Sequence, residues 1–326
     1  MMPKTRLERM IHNSYNNIGG IVVYKDGEVQ YEKYYNECRD SDTFHIFSVT
    51  KSIVGLLIGI AIDKRFINSV EQKVLDFFPD YIVKKGEKTI QEVTLKDLLT
   101  MTAPYKYKSE PYTEYFASEN WVKSALDLLG GNGKIGEFRY VPLIGPDILS
   151  GILVQATGQS VLEFARKYLF LPLNIKVEGN IVFKNKEEQL AWYDKRNVRG
   201  WVADKAGVNT AGWGLNLTTQ DLAKIGQLCL DEGVWRGQQI VSAKWIQDST
   251  IEHSRCNQWQ LSYGYLWWIL DEKERIFAAM GDGGNVIYVN AKKRLVVAIA
   301  SHFVKNAKDR IKLIQEYIEP IFEVHP

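Results

Sequence analysis

One stretch of the chain, residues 53–62, consists only of apolar residues and Gly. Because apolar positions occupy every face at the helical period, the pattern predicts a helix that is buried all round rather than a surface helix. Gly55 and Gly59 lie four residues apart and leave two places on one face of this helix for close packing. The stretch is too short, and too near Lys51, to span a bilayer.

Strand patterns occur near both ends of the chain. Residues 20–24 and 28–34 flank Lys25-Asp26-Gly27, and an Asp-Gly pair between β-rich runs is a strong hairpin signal. Toward the C-terminus, four more β-rich runs are separated by turn residues, and an amphipathic helix follows. The runs cover residues 263–270, 275–280, 285–290 and 295–301, and the helix covers about 307–322.

The chain between about residues 65 and 255 has mainly helical patterns. Thr94, Ser160 and Thr218 each begin a sequence typical of a capping box, and Gly158 and Gly233 stand where helices are expected to stop. The loop 103–119 carries four Tyr and a Phe. Packing of these rings against the helices is slightly favoured over a role as a substrate wall.

These patterns together predict an α+β protein. We expect an antiparallel sheet built from both chain termini and flanked by helices, with an inserted, mostly helical lobe. The predicted division places residues 1–65 and 256–326 in the sheet domain and residues 66–255 in the helical domain.

Composition narrows the possible functions. Forty-one Lys and Arg balance thirty-nine Asp and Glu, which gives no support to nucleic-acid binding or to an anionic membrane surface. The three Cys are scattered and do not predict a disulfide framework, and the five His show no ligand spacing, so no metal and no cofactor are expected. The first residues lack an apolar signal core, which favours a cytoplasmic protein, although a secreted protein after removal of its leader would look the same.

Ser48 and Lys51 are the first candidate catalytic residues. In a helix, residues three apart share a face, with Cβ atoms about 5–6 Å apart. Ser48 would lie at the N-terminus of the buried helix, and Lys51 would be desolvated, which lowers the pKa of a lysine toward that of a useful base. The structural alternative is a helix-capping Ser with a Lys that extends to water.

Several further segments resemble, in order, those of the serine β-lactamase-related family, which includes class C β-lactamases, DD-peptidases and related esterases and amide hydrolases. The resembling segments, which run almost from end to end, are Ser48-Val49-Thr50-Lys51, residues 93–102, Phe138-Arg139-Tyr140, Ala156-Thr157-Gly158, residues 169–173, residues 211–215 and Gly281-Asp282-Gly283-Gly284. The resemblance implies a β-lactamase/transpeptidase-like fold.

The resemblance also implies roles for individual residues. Ser48 matches the nucleophile, Lys51 the lysine of the same motif, and Tyr140 the tyrosine of Tyr-x-Asn, where a phenolate held by the lysine would take the serine proton. Gly281-Asp282-Gly283 match the third motif, and the N–H of the following residue, Gly284, would pair with that of Ser48 as an oxyanion hole. The structural alternatives are a buried core tyrosine and a simple hairpin turn.

Two departures from the family pattern bear on substrate choice. Pro142 replaces the Asn or Ser of Tyr-x-Asn, and Gly281 replaces a Lys or His that β-lactam-recognising members direct at the substrate carboxylate. Asp282 adds a negative charge there, unless it is simply a turn residue facing solvent. Replacing Gly281 by Lys is expected to improve β-lactam hydrolysis, whereas His45 is expected to be structural.

The sequence therefore predicts a serine hydrolase of small-molecule ester, amide or peptide-like substrates, acting through an acyl-enzyme on Ser48. The alternatives are a weak β-lactamase or DD-peptidase, and a catalytically degenerate member that binds a ligand or a partner without turnover.

Overall fold

The computed structural model describes residues 3–323, and its strands are mostly antiparallel. In chain order they are β1 (Ile18–Lys25), β2 (Glu28–Tyr34), β3 (Thr43–His45), β4 (Asn180–Ile181), β5 (Trp201–Val202), β6 (Asn216–Thr218), β7 (Val234–Trp235), β8 (Gln238–Gln239), β9 (Ser254–Cys256), β10 (Leu261–Tyr263), β11 (Trp268–Asp271), β12 (Ile276–Gly281), β13 (Asn285–Asn290) and β14 (Leu295–Ser301).

The α-helices pack around these strands, and most of the helices lie in the middle of the chain. They are α1 (Pro3–Ser14), α2 (Val49–Asp63), α3 (Leu95–Leu99), α4 (Tyr112–Ala117), α5 (Trp121–Leu128), α6 (Asp147–Thr157), α7 (Val161–Ala165), α8 (Lys186–Trp192), α9 (Thr219–Leu230), α10 (Ala243–Ser249) and α11 (Arg310–Leu313). Two π-helical turns continue α7 and α11, namely Arg166–Phe170 and Ile314–Ile318. Short 3₁₀ turns lie at Val74–Phe77, Thr89–Gln91, Asp282–Gly284 and Glu319–Ile321.

The main sheet has the strand order β2-β1-β14-β13-β12-β11-β10-β9, so it is built from both ends of the chain, and the predicted fold class is confirmed. Asp26 and Gly27 both have positive φ, as the tight turn between β1 and β2 requires. Helices cover both faces: Val22 packs in the cluster that contains α2 and α9, whereas its neighbour Val23 packs with α1 and α11.

The buried helix is present as predicted. Residues Val49 to Ala61 of α2 are all buried. A Cβ at Gly59 would lie 2.2 Å from the ring of Trp245, so only Gly allows this close packing. The capping boxes at Thr94, Ser160 and Thr218 also form as predicted. Among the described residues no single helix is long and apolar enough to cross a membrane.

The prediction of one strand over residues 263–270 is wrong, because the chain breaks after β10 and resumes in β11. At Gly264 a Cβ would lie only 2.1 Å from the carbonyl oxygen of Ser249, and Leu266 has a φ of 63°. The backbone therefore turns against α10 instead of continuing the ladder. The two-domain division stays a prediction, and α9, which lies within the proposed helical part, packs directly on β1, β13 and β14.

Candidate active site

Ser48 lies at the entrance to α2, after a tight backbone turn. Phe47, which precedes it, has a φ of 48°, an uncommon value for a bulky residue and a source of backbone strain of about 1–3 kcal/mol. The amides of Val49 and Thr50 close the turn by donating to the carbonyls of Ile46 and Phe47. Ser48 itself is partly accessible. The turn thus presents its side chain at the start of the helix.

Lys51 is buried directly beside Ser48, with only 2% of its surface exposed. Its Nζ lies 2.8 Å from Ser48 Oγ and 2.9 Å from the carbonyl oxygen of Gly212. Burial lowers the pKa of Lys51 to about 7, against the opposing effects of Glu110, Asp282 and Asp147. Near neutral pH a large fraction of Lys51 is therefore an uncharged amine that can accept a proton.

Tyr140, the third of the predicted catalytic residues, lies beside Lys51. The Nζ of Lys51 lies 5.5 Å from the centroid of its ring, and the rings of Trp259 and Trp268 pack against it. Burial raises the pKa of Tyr140 to about 12, although the side chain of Ser48 acts to lower it. The setting therefore favours a neutral phenol, and the expected phenolate held by a lysine cation is not supported.

Gly281 ends β12 in direct contact with the segment that leads to the serine. A Cβ at this position would lie 2.3 Å from the carbonyl oxygen of Ile46 and 3.2 Å from the amide nitrogen of Ser48. No side chain fits there without moving the backbone. A Lys at position 281 would displace the backbone beside Ser48, so the structure gives no support to the expectation that Gly281→Lys improves β-lactam hydrolysis.

The three residues that follow Gly281, namely Asp282, Gly283 and Gly284, have different neighbours. Asp282 is exposed, and its charge acts on both Lys51 and Tyr140. A Cβ at Gly283 would meet Phe303, and one at Gly284 would lie 2.6 Å from the guanidinium of Arg310. The close contact with the Ser48 segment is thus made by Gly281, and not by Gly283 or Gly284.

Three residues of the site were missed in the sequence: Glu110, Asp147 and Gly212. Asp147 is buried, and its carboxylate accepts hydrogen bonds from the Ala211 amide at 2.7 Å and the Tyr115 hydroxyl at 2.7 Å. Burial raises its pKa to about 7. This contact fixes the loop whose carbonyl binds Lys51. In the sequence Asp147 looks like an ordinary acid in the first turn of a helix.

Glu110 lies in the tyrosine-rich loop 103–119, before α4. Its Oε1 accepts hydrogen bonds from the amides of Leu143 at 3.3 Å and Ile144 at 3.0 Å, which anchors the segment that follows Tyr140. Its buried Oε2 has no hydrogen-bond partner within residues 3–323. Among the groups that raise the pKa of Lys51, Glu110 has the largest effect. No motif spacing relates it to Ser48.

His45 has a structural setting. Its Nε2 accepts a hydrogen bond from the amide of Gly214 at 3.1 Å, and its ring lies against Phe47 and Trp192. Burial lowers its pKa well below the usual value, so the ring is neutral. The ring of His45 thus packs directly against the residue that precedes Ser48.

Comparison with known proteins identifies the family of the chain. The family model described as Beta-lactamase matches residues 7–319. The chain belongs to the Beta-lactamase family. A 6-aminohexanoate-dimer hydrolase of Paenarthrobacter ureafaciens is 23% identical over 297 residues, which cover 85% of this chain and 70% of that protein.

Solved structures share the fold of this Beta-lactamase family member. A family VIII carboxylesterase superposes with a TM-score of 0.73 at 15% identity, covering 97% of this chain and 96% of the other. An octameric penicillin-binding protein homologue from Pyrococcus abyssi gives a TM-score of 0.71 at 21% identity, covering 98% and 78%. At these identities the likeness concerns the fold alone.

The segment that follows Tyr140 packs on the loop that binds Lys51. Pro142 offers no side-chain amide, and the backbone around it packs on Gly212, where a Cβ would lie 2.7 Å from the Pro142 carbonyl oxygen. The Gly212 carbonyl is what accepts the second hydrogen bond of Lys51. A backbone carbonyl therefore provides the second hydrogen-bond partner of Lys51.

Proposed function

We propose that this Beta-lactamase family hydrolase acts on small neutral esters or amides through an acyl-enzyme on Ser48. The observation that carries the proposal is the buried Lys51, whose Nζ lies 2.8 Å from Ser48 Oγ. An amine with a pKa of about 7 is well suited to remove the serine proton near neutral pH.

In the proposed reaction, the neutral amine of Lys51 takes the hydroxyl proton as Ser48 Oγ attacks the substrate carbonyl carbon. The amides of Ser48 and Asp282 donate to the oxyanion. We assign Asp282 rather than Gly284 because it directly follows Gly281, which touches the Ser48 backbone. Each such donor is worth about 3–4 kcal/mol in other hydrolases.

Collapse of the tetrahedral intermediate then breaks the bond to the leaving group. The hydroxyl of Tyr140 gives its proton to the leaving group and receives the one held by Lys51. The pKa of Tyr140, raised to about 12, suits a group that stays protonated between steps. Water repeats the sequence on the acyl-enzyme, which releases the acid and restores Ser48 and Lys51.

The charge around the site supports neutral substrates. The carboxylates of Glu110 and Asp282 both act on Lys51, and Gly281 leaves no room for a cationic side chain. A substrate carboxylate placed beside them would be repelled, and an unpaired buried charge costs several kcal/mol.

Covalent labelling with a fluorophosphonate, followed by intact mass, tests the proposal. Wild-type protein and Ser52→Ala should gain one adduct, because the hydroxyl of Ser52 is buried and donates to the carbonyl of Leu266 at 2.6 Å. Ser48→Ala should gain none. Absence of labelling and of ester turnover in folded wild-type protein would instead indicate a binding protein.

A further inference from the structure

A cleft of about 500 Å³ opens between α4 and α8. Its apolar walls include Tyr112, Phe116, Leu143, Val182, Leu190 and Tyr193. This volume lies within the range of small-molecule sites. The lysines that also line it, at positions 184, 186 and 205, are exposed to solvent, so an entering group meets mainly apolar side chains.

One wall of the cleft lies next to the segment that carries Ser48. The ring of Tyr193 stacks 6.2 Å from that of Phe47, the residue before Ser48. The charge of Asp282 acts on the hydroxyls of both Tyr193 and Tyr112. The cleft is thus adjacent to Phe47 and within reach of the charge of Asp282, the two residues that flank the proposed site of attack.

The apolar lining is unusually open to water. Tyr112 is 44% exposed, Val182 45% and Leu190 57%. Single exposed apolar side chains are normal, but several that face one cleft mark a binding site. Deeper in, the ring of Phe116 packs at 5.8 Å against the buried Trp213, which gives the cleft a rigid aromatic floor.

We propose that this cleft binds the apolar acyl chain of the substrate, an inference that rests on the proposed function. The leaving group has to lie at Tyr140, which protonates it, and the ring of Tyr140 packs against Trp259 and Trp268. Neither of these rings is among the described residues that line the cleft. The acyl side of the scissile bond is therefore the side that faces it.

The test compares 4-nitrophenyl acetate, butyrate and hexanoate. Burial of each added methylene should raise kcat/KM about two- to fourfold. Acetate esters of alcohols of increasing length, followed by acid release, should show no such trend. Leu190→Glu should lower kcat/KM for the hexanoate at least about tenfold more than kcat/KM for the acetate.

Leu171→Glu is the matched control, because Leu171 is 70% exposed and lies outside the cleft lining. It should preserve the full chain-length trend. The inference is overturned by a flat acyl series, by a trend in the alcohol series alone, or by equal losses for acetate and hexanoate in Leu190→Glu. Those outcomes leave the proposed function intact as long as the acetate is hydrolysed, whereas failure of the function itself removes all turnover and labelling.

Discussion

The carboxylate of Asp147 accepts a hydrogen bond from the amide of Ala211 at 2.7 Å and so fixes the loop that binds Lys51. The next residue, Gly212, turns its carbonyl toward Lys51 Nζ at 2.9 Å. Tyr115 donates to the other carboxylate oxygen. One buried acid thus links the loop 103–119 to the loop whose carbonyl binds Lys51, without contacting Ser48.

Removal of this acid should damage stability and activity together. Asp147→Ala leaves a buried amide and a buried hydroxyl unpaired, at about 1–3 kcal/mol each. We expect the free energy of unfolding, measured by urea denaturation, to fall by about 2–5 kcal/mol, with a larger loss of kcat than in Asp147→Asn, which keeps one acceptor. Asp40→Ala, at an exposed position, should change stability by less than about 0.5 kcal/mol. Equal stability of Asp147→Ala and wild type would show that the hydrogen bonds of Asp147 do not stabilise the fold.

Glu110 should set the pH dependence of the reaction. Lys51 works as a base only when neutral, so kcat/KM for a neutral ester should rise with pH through about 7. Because the charge of Glu110 raises the pKa of Lys51, Glu110→Gln should lower that pKa and move the acid limb to lower pH. The amide oxygen of Gln can still accept from Leu143 and Ile144.

Profiles between about pH 5 and pH 9 measure this shift, with Glu114→Gln, an exposed acid of α4, as the control. The control should leave the limb in place. A limb that stays fixed or moves upward in Glu110→Gln contradicts the assignment of Lys51 as the group that titrates.

Gly281 should tolerate no side chain. In Gly281→Ala the new Cβ would meet the Ile46 carbonyl oxygen at 2.3 Å, so the backbone beside Ser48 has to move. We expect a loss of about 1–3 kcal/mol in stability and at least a tenfold fall in kcat. Gly179→Ala, where a Cβ would meet nothing within 4 Å, is the control. Normal fluorophosphonate labelling of Gly281→Ala would show that the contact is unimportant.

Lys51 and Tyr140 should act as one unit. If both move the same proton, Lys51→Ala and Tyr140→Phe should each lower kcat by orders of magnitude, and the double variant little further. Steady-state kinetics on one neutral ester gives all three values. Multiplicative losses would mean that the two groups work independently, and the shared proton path would have to be abandoned.

Neutral substrates should be preferred over β-lactams. Two missing contacts to a substrate carboxylate, at about 1.5–3 kcal/mol each, predict that 4-nitrophenyl butyrate exceeds nitrocefin in kcat/KM by at least about a hundredfold. Both are measured on the same preparation. Turnover of nitrocefin equal to that of the ester would restore the β-lactamase interpretation.

The sequence by itself determined the features that depend on near neighbours. Asp26-Gly27 specifies a turn with positive φ, Thr218 caps α9, and residues 53–62 can only be a buried helix, because each pattern reflects local backbone geometry or a helical period. The pairing of Ser48 with Lys51 is of the same kind, since residues three apart in a helix share a face.

Tertiary structure decided what those residues can do. The Gly212 carbonyl that binds Lys51 comes from 161 residues away in the chain, and the burial that lowers the lysine pKa depends on the whole core. The break at Gly264 and the contact of Gly281 with Ile46 arise from backbone segments that meet only in the fold. No local pattern encodes such long-range contacts, so Glu110 and Asp147 look ordinary in the sequence and become part of the site only when the chain is folded.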